Sequence, residues 1–140
     1  MEKSILLISD NANLLKRLKQ MMADWQVISS PTYLPDFLLN RDSQTLMIVD
    51  LDHFFTSGHR SETLFLMRQQ FRGPLLAIHR KKLALAMVCN LFDCFHFDEL
   101  LSLEMADREL RARIQQRLWR YYQPHEESRE VLNTGQLQVD

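Results

Sequence analysis

Three short runs of the chain, Ile5-Leu6-Leu7-Ile8, Leu46-Met47-Ile48-Val49 and Leu75-Leu76-Ala77-Ile78, are apolar at every position and show no alternation. A strand of that composition is buried on both faces, as in a parallel sheet covered by helices on each side. Helical patterns lie between them. Leu14, Leu15, Leu18, Met21 and Met22 recur at helix spacing, with Lys16, Arg17 and Lys19 on the opposite face. Leu64, Met67 and Phe71 form one stripe within 61–71, and 83–92 is apolar and helical. Trp25-Gln26-Val27-Ile28 and Leu100 to Leu103 read as two further strands, and Leu34 to Leu39 as a short helix with Pro35 in its first turn. Asp107 to Tyr122 is an amphipathic helix with Leu110, Ile114 and Leu118 inward and five arginines outward. The order βαβαβαβαβα, with short connections, predicts an α/β fold: a parallel sheet with helices on both faces.

Length and charge narrow the function classes. The 140 residues suit one domain. Seventeen Lys+Arg against eighteen Asp+Glu leave a formal net charge of −1, which argues against binding nucleic acid through bulk charge. With only Gly58, Gly73 and Gly135, no glycine-rich phosphate loop can be written. Cys89 and Cys94 have no Cys/His grouping at zinc spacing and are expected to be reduced, buried thiols of a cytoplasmic protein. No apolar run approaches the roughly 18 residues of a membrane span, and the N-terminus lacks a signal-peptide core. After Tyr122 the composition turns polar over 123–130, a linker, before a brief alternating stretch at 131–140.

In open α/β sheets, chemistry collects outside the carboxyl ends of the central strands. Asp10 ends the first strand and Asp50 the third. In a sheet of order 2-1-3-4-5 these strands are neighbours, so both carboxylates can meet in one crevice. Two carboxylates there suit Mg²⁺, and an exposed Asp can accept a phosphoryl group as nucleophile. The simpler alternative is that each Asp caps the helix that follows.

Ile5-Leu6-Leu7-Ile8-Ser9-Asp10-Asn11 and Leu46-Met47-Ile48-Val49-Asp50 resemble the first strand with its acidic pair, and the phosphoacceptor strand, of response-regulator receiver (CheY-like) domains. The resemblance covers about the first 120 residues. It implies a flavodoxin-like (βα)5 fold with strand order 2-1-3-4-5. It also implies a phosphoacceptor at Asp50, and Mg²⁺ held by Asp10, Asp50 and the backbone carbonyl of Asp52. Asp107-Arg108-Glu109-Leu110-Arg111-Ala112-Arg113-Ile114 resembles the start of the last helix in the OmpR/PhoB subfamily. The stretch Val131 to Asp140 resembles the first strand of that subfamily's winged-helix DNA-binding domain. The implied organisation is a receiver at 1–122, a linker at 123–130 and the start of a truncated DNA-binding domain at 131–140.

Several positions depart from the family's pattern. Ser9 replaces the first acid, Leu103 the lysine that neutralises the phosphoryl group, and Glu104 the proline after it. Leu100 stands at the aromatic switch, His79 at the Thr/Ser, and Phe54 where a proline follows the phosphoacceptor loop. Losing an ammonium partner, a hydroxyl donor and a metal carboxylate together removes the parts of the switch that phosphorylation biases. An atypical receiver independent of phosphorylation is therefore expected, with no cofactor beyond a weak Mg²⁺. A sharper variant has a protonated His79 pairing with Asp50 or Asp10.

The resemblance implies a homodimer through the fourth helix, fifth strand and fifth helix, with Asp98, Glu99 and Glu109 as acidic partners of Arg113 and Arg120. Cys89 stands where the fourth helix usually carries a base, and Val88, Leu91, Phe92 and Phe95 could supply apolar contact. The expected role is non-enzymatic: a dimer in the cytoplasm, without a membrane partner, that positions DNA-binding domains. Three other readings compete. One is a receiver phosphorylated on Asp50 by a histidine kinase. Another is a phosphatase of the haloacid-dehalogenase type, from Asp50-Leu51-Asp52, and the last is a stand-alone docking module.

Overall fold

The computed structural model describes residues 2–38, 44–58 and 60–122. The elements are β1 (Lys3–Ile8), α1 (Ala12–Met21), β2 (Gln26–Ser30), a 3-10 turn (Pro35–Leu38), β3 (Gln44–Asp50), α2 (Leu51–Thr56), α3 (Ser61–Gln70), β4 (Leu75–His79), α4 (Leu85–Asp93), β5 (Glu99–Ser102) and α5 (Asp107–Tyr122). All strand pairs are parallel and the sheet order is β2-β1-β3-β4-β5. The expected linker at 123–130 and the winged-helix-like 131–140 lie outside the described residues.

The unbroken apolar runs are explained by two cores, one on each face of the sheet. Ile5 and Leu7 of β1 point to one core with Ile48, Leu76 and Leu101, against Leu14 and Leu18 of α1 and Leu110, Ile114 and Leu118 of α5. Leu6 and Ile8 point the other way, with Met47, Val49 and Ala77, against Phe54 of α2, Leu64 and Met67 of α3, and Leu91 of α4. Because side chains alternate along a strand, filling both faces requires every position to be apolar. Ile5 to Ile8 are all fully buried. No described helix is long and apolar enough to cross a membrane.

Local chemistry sets the ends. Asn11 caps α1, its Oδ1 accepting from the backbone N–H of Asn13 and Leu14 at 3.0 and 3.1 Å. Gly73 sits where a Cβ would lie 2.9 Å from the Thr45 carbonyl oxygen, so the turn into β4 has no room for a side chain. Three expectations are corrected. The short helix from Leu34 is, where described, a single 3-10 turn. The segment after Asp50 forms α2, which periodicity missed because six residues give one turn and a half. Cys89 and Cys94 are exposed, since α4 turns only Leu91 fully into the core and leaves its outer face open.

The far end of α5 is fastened to the start of β3. The Tyr122 hydroxyl accepts from the Thr45 N–H at 3.1 Å and donates to the Thr45 carbonyl at 3.0 Å. Tyr122→Phe removes both bonds and is expected to cost about 1–2 kcal/mol at neutral pH by urea unfolding. Burial pushes the Tyr122 and Tyr33 phenols above their ordinary value. The fold holds the neutral form, so this contribution is intact below the unfolded value of about 10 and drains as pH rises through the folded values. Alkaline unfolding is therefore expected to be shallower in the Tyr33→Phe/Tyr122→Phe double variant than in the wild type.

Candidate functional site: the carboxylate crevice

β1 and β3 lie side by side at the centre of the sheet, in register from Lys3–Gln44 to Ile8–Val49. Ser9 and Asp10 therefore leave β1 next to Asp50, the last residue of β3. Asp50 is 3% exposed. Its Oδ2 accepts from the Ser9 hydroxyl at 2.6 Å, and its Oδ1 accepts from the His53 N–H at 3.3 Å, which caps α2. The capping alternative thus describes Asp50. No ion pair to Asp50 is present among the described residues.

Asp10 behaves differently. Its side chain is 67% exposed, and its Oδ1 lies 3.0 Å from Nδ1 of His53, whose own side chain is 8% exposed. The other ring nitrogen, Nε2, donates to the Pro31 carbonyl at 2.7 Å. Both ring nitrogens thus face oxygen atoms. Sequence reasoning missed His53 because its partners come from two other loops. Its one local signal is its place three residues after Asp50, the spacing of a capped N–H.

Asp52 is turned away from both. Its carboxylate accepts from the Arg80 N–H at 2.6 Å and the Lys81 N–H at 3.3 Å, tying α2 to the loop after β4. Its backbone carbonyl accepts from the Thr56 hydroxyl at 2.7 Å, within α2. Each group expected at the Mg²⁺ site makes a contact elsewhere in the chain. Asp10 and Asp50 are bonded to His53 and Ser9, and the Asp52 carbonyl has become a helix acceptor. Among the described residues no three His, Cys, Asp or Glu side chains converge as metal ligands.

The structure places the other positions expected to depart from the receiver pattern as follows. Leu103 is buried in the α1/α5 core, Leu100 packs on the opposite core, and Glu104 is exposed. His79 Nδ1 lies 2.8 Å from the Lys81 carbonyl, and the carboxylate pairing expected of His79 is made by His53 instead. Phe54 is fully buried. Within the crevice Asp50 is bonded to Ser9 and to the His53 backbone, while the Asp10 carboxylate, in contact with the His53 ring, stays open to solvent.

Of the residues expected at a dimer interface, Asp98, Glu99, Glu109 and Arg113 are engaged within the chain. Glu99 pairs with Arg113 at 3.0 Å and Arg117 at 2.8 Å, and Glu109 pairs with Arg113 at 3.1 Å. The Glu109 and Glu99 carboxylates hold the Arg113 guanidinium above its usual range. Asp98 accepts from the Leu75 N–H at 2.8 Å and pairs with Arg68 at 3.4 Å. Arg120 and Asp98 border one small cavity of about 150 Å³. Of the apolar candidates, Leu91 is core, Val88 and Phe95 are half-buried, and Phe92 is exposed.

No protein-family model matches the chain, and neither does any curated protein. Solved structures do. The signal receiver domain of an HD domain-containing protein from Pseudomonas fluorescens superposes with a TM-score of 0.71 at 18% identity, over 89% of this chain and 93% of that one. A response regulator from Thermotoga maritima gives 0.67 at 11% identity, over 84% and 98%. An orphan response regulator of H. pylori gives 0.57 at 17% identity, over 83% and 96%. With five parallel strands in the order 2-1-3-4-5 and helices on both faces, the chain has the flavodoxin-like, CheY-like fold of response-regulator receiver domains.

Proposed function

We propose that this chain is a regulatory receiver module of OmpR/PhoB type that works without phosphorylation, by self-association. The observation that carries the reading is the Asp50 carboxylate, bonded to Ser9 and to the His53 backbone. A phosphoryl group arriving at Asp50 would have to displace the Ser9 hydroxyl, would meet Leu103 where the family places an ammonium, and would find no metal cage. A ligand that gains nothing in one state over another shifts no equilibrium. Incubation with acetyl phosphate and Mg²⁺ is expected to leave the intact mass unchanged. Addition of one phosphoryl mass, lost in Asp50→Asn, would overturn the reading and favour its rival, a receiver modified on Asp50 by a histidine kinase. That rival draws support from the place of Asp50 at the carboxyl end of a central strand.

The proposed partner is a second copy, bound through α4, β5 and α5. The outer face of α4 is apolar and open, with Leu85 78% and Phe92 40% exposed. Its rim on β5 and α5 carries both signs, Asp98, Glu99 and Glu109 beside Arg113, Arg117 and Arg120, so the face is self-complementary under a two-fold axis. The ion pairs already made within the chain supply orientation, and the apolar α4 face supplies the energy. Light scattering without any phosphodonor is expected to give a dimer, and Leu85→Glu/Phe92→Glu a monomer. A wild-type monomer that dimerises only with a phosphoryl analogue and Mg²⁺ would sink the proposal. Output through DNA rests on the resemblance of residues 131–140 to a winged-helix strand.

A further inference from the structure

At the opposite end of the sheet from the crevice, a cavity of about 360 Å³ opens between the start of β1, the start of β3 and the last turns of α5. Its volume falls in the range of about 300–1,000 Å³ typical of small-molecule sites. Two indoles form its aromatic walls. Trp25 is 7% exposed and Trp119 is 53% exposed. The Lys3 ammonium lies over the Trp25 ring, 5.7 Å from its centroid. The amides of Gln44, Gln115 and Gln116 complete the polar lining.

One polar group here differs from those of the crevice. The buried Nε1–H of Trp25 has no hydrogen-bond partner among the described residues. It is a donor only, and a buried donor left unmade carries an unrecovered desolvation cost. Among the described residues Lys3 forms no ion pair and no carboxylate lines the cavity. The site therefore presents aromatic faces, one positive charge and an excess of donors. We propose that it binds a small aromatic carboxylic acid. The ring would stack between Trp25 and Trp119, with the carboxylate at Lys3 and within reach of the glutamine amides. Three residues beyond Trp119 lies Tyr122, whose hydroxyl holds α5 to Thr45 beside Gln44. A ligand here would thus bear on the end of α5. The inference does not depend on the state of Asp50 or on dimerisation.

The chain has two tryptophans and both line the cavity, so indole signals report on it directly. In ¹⁵N-labelled protein, titration with benzoate and 4-hydroxyphenylacetate is expected to move both indole N–H resonances saturably. Benzamide, the uncharged control, is expected to bind about tenfold more weakly. Lys3→Met and Gln116→Glu alter exposed positions and test the charge preference from two directions. Each is expected to weaken benzoate about tenfold with the circular dichroism unchanged. The absence of a saturable shift with either acid at millimolar concentration would overturn the proposal. So would equal affinity for benzoate and benzamide, or benzoate binding unaltered in both variants.

Discussion

Arg68→Met is expected to lower the folding free energy by about 3 kcal/mol and the thermal midpoint by roughly 10 °C. Arg68 projects from the last turn of α3, and its side chain, 17% exposed, joins two turns distant in sequence. Nη2 donates to the carbonyls of Phe71 and Gly73, the latter at 2.9 Å. Nη1 donates to the His96 carbonyl at 3.2 Å and to Asp98 Oδ2 at 3.4 Å. His96 has a φ of 54°, a left-handed conformation that a non-glycine residue adopts at a cost. The same Asp98 oxygen accepts from Leu75 N–H, so one arginine orders the entrances to β4 and β5 together. Methionine keeps the stem's packing and loses every donor, stranding three carbonyls. Arg68→Lys is expected to recover less than half, because a single ammonium cannot fork to four acceptors. Urea unfolding measures both; a loss below about 1 kcal/mol in Arg68→Met would show the clamp to be solvated and dispensable.

Arg17→Met carries the second large effect, about 2–3 kcal/mol. The basic face of α1 reads as solvated, yet Arg17 reaches across to the loop after β5. It donates from Nη1 to the Leu103 carbonyl at 2.9 Å, from Nη2 to the Met105 carbonyl at 2.7 Å, and from Nε to Asp107 at 2.6 Å. Asp107 is 64% exposed, so Asp107→Asn is expected to cost less than about 1 kcal/mol. Most of the effect should come from the two carbonyls. Amide exchange should then quicken in 103–107 in Arg17→Met and stay near wild type in Asp107→Asn. Equal losses in the two variants would contradict this division. The loop that flanks the carboxylate crevice is thereby held from α1, independent of what occupies the crevice.

The fold was largely legible because its evidence is local and periodic. Ile5 to Ile8 could belong only to a strand covered on both sides, and Leu110, Ile114 and Leu118 mark the inward stripe of α5 that the structure buries. The same reasoning missed α2. It also misjudged Cys89 and Cys94, since an apolar helix does not reveal how much of its circumference finds a partner. The site was legible as positions. Asp10 and Asp50 do lie at the carboxyl ends of adjacent strands. Their chemistry was not legible. The sequence offered His79 as the histidine near the carboxylates; the structure brings His53 to Asp10 and turns His79 to a backbone carbonyl.

Sequence by itself determined the order of the strands, the parallel sheet and the two-sided core, because alternation along strands and the 3.6-residue turn of helices are properties of neighbouring residues. Only the tertiary structure decided which donors meet which acceptors. Ser9 and Asp50 are 41 residues apart, Arg17 and Asp107 are 90 apart, and each pair meets through the packing of elements that carry no mark of the other. A hydrogen bond needs its atoms placed within a few tenths of an ångström, and across such separations the assembled core alone sets that distance.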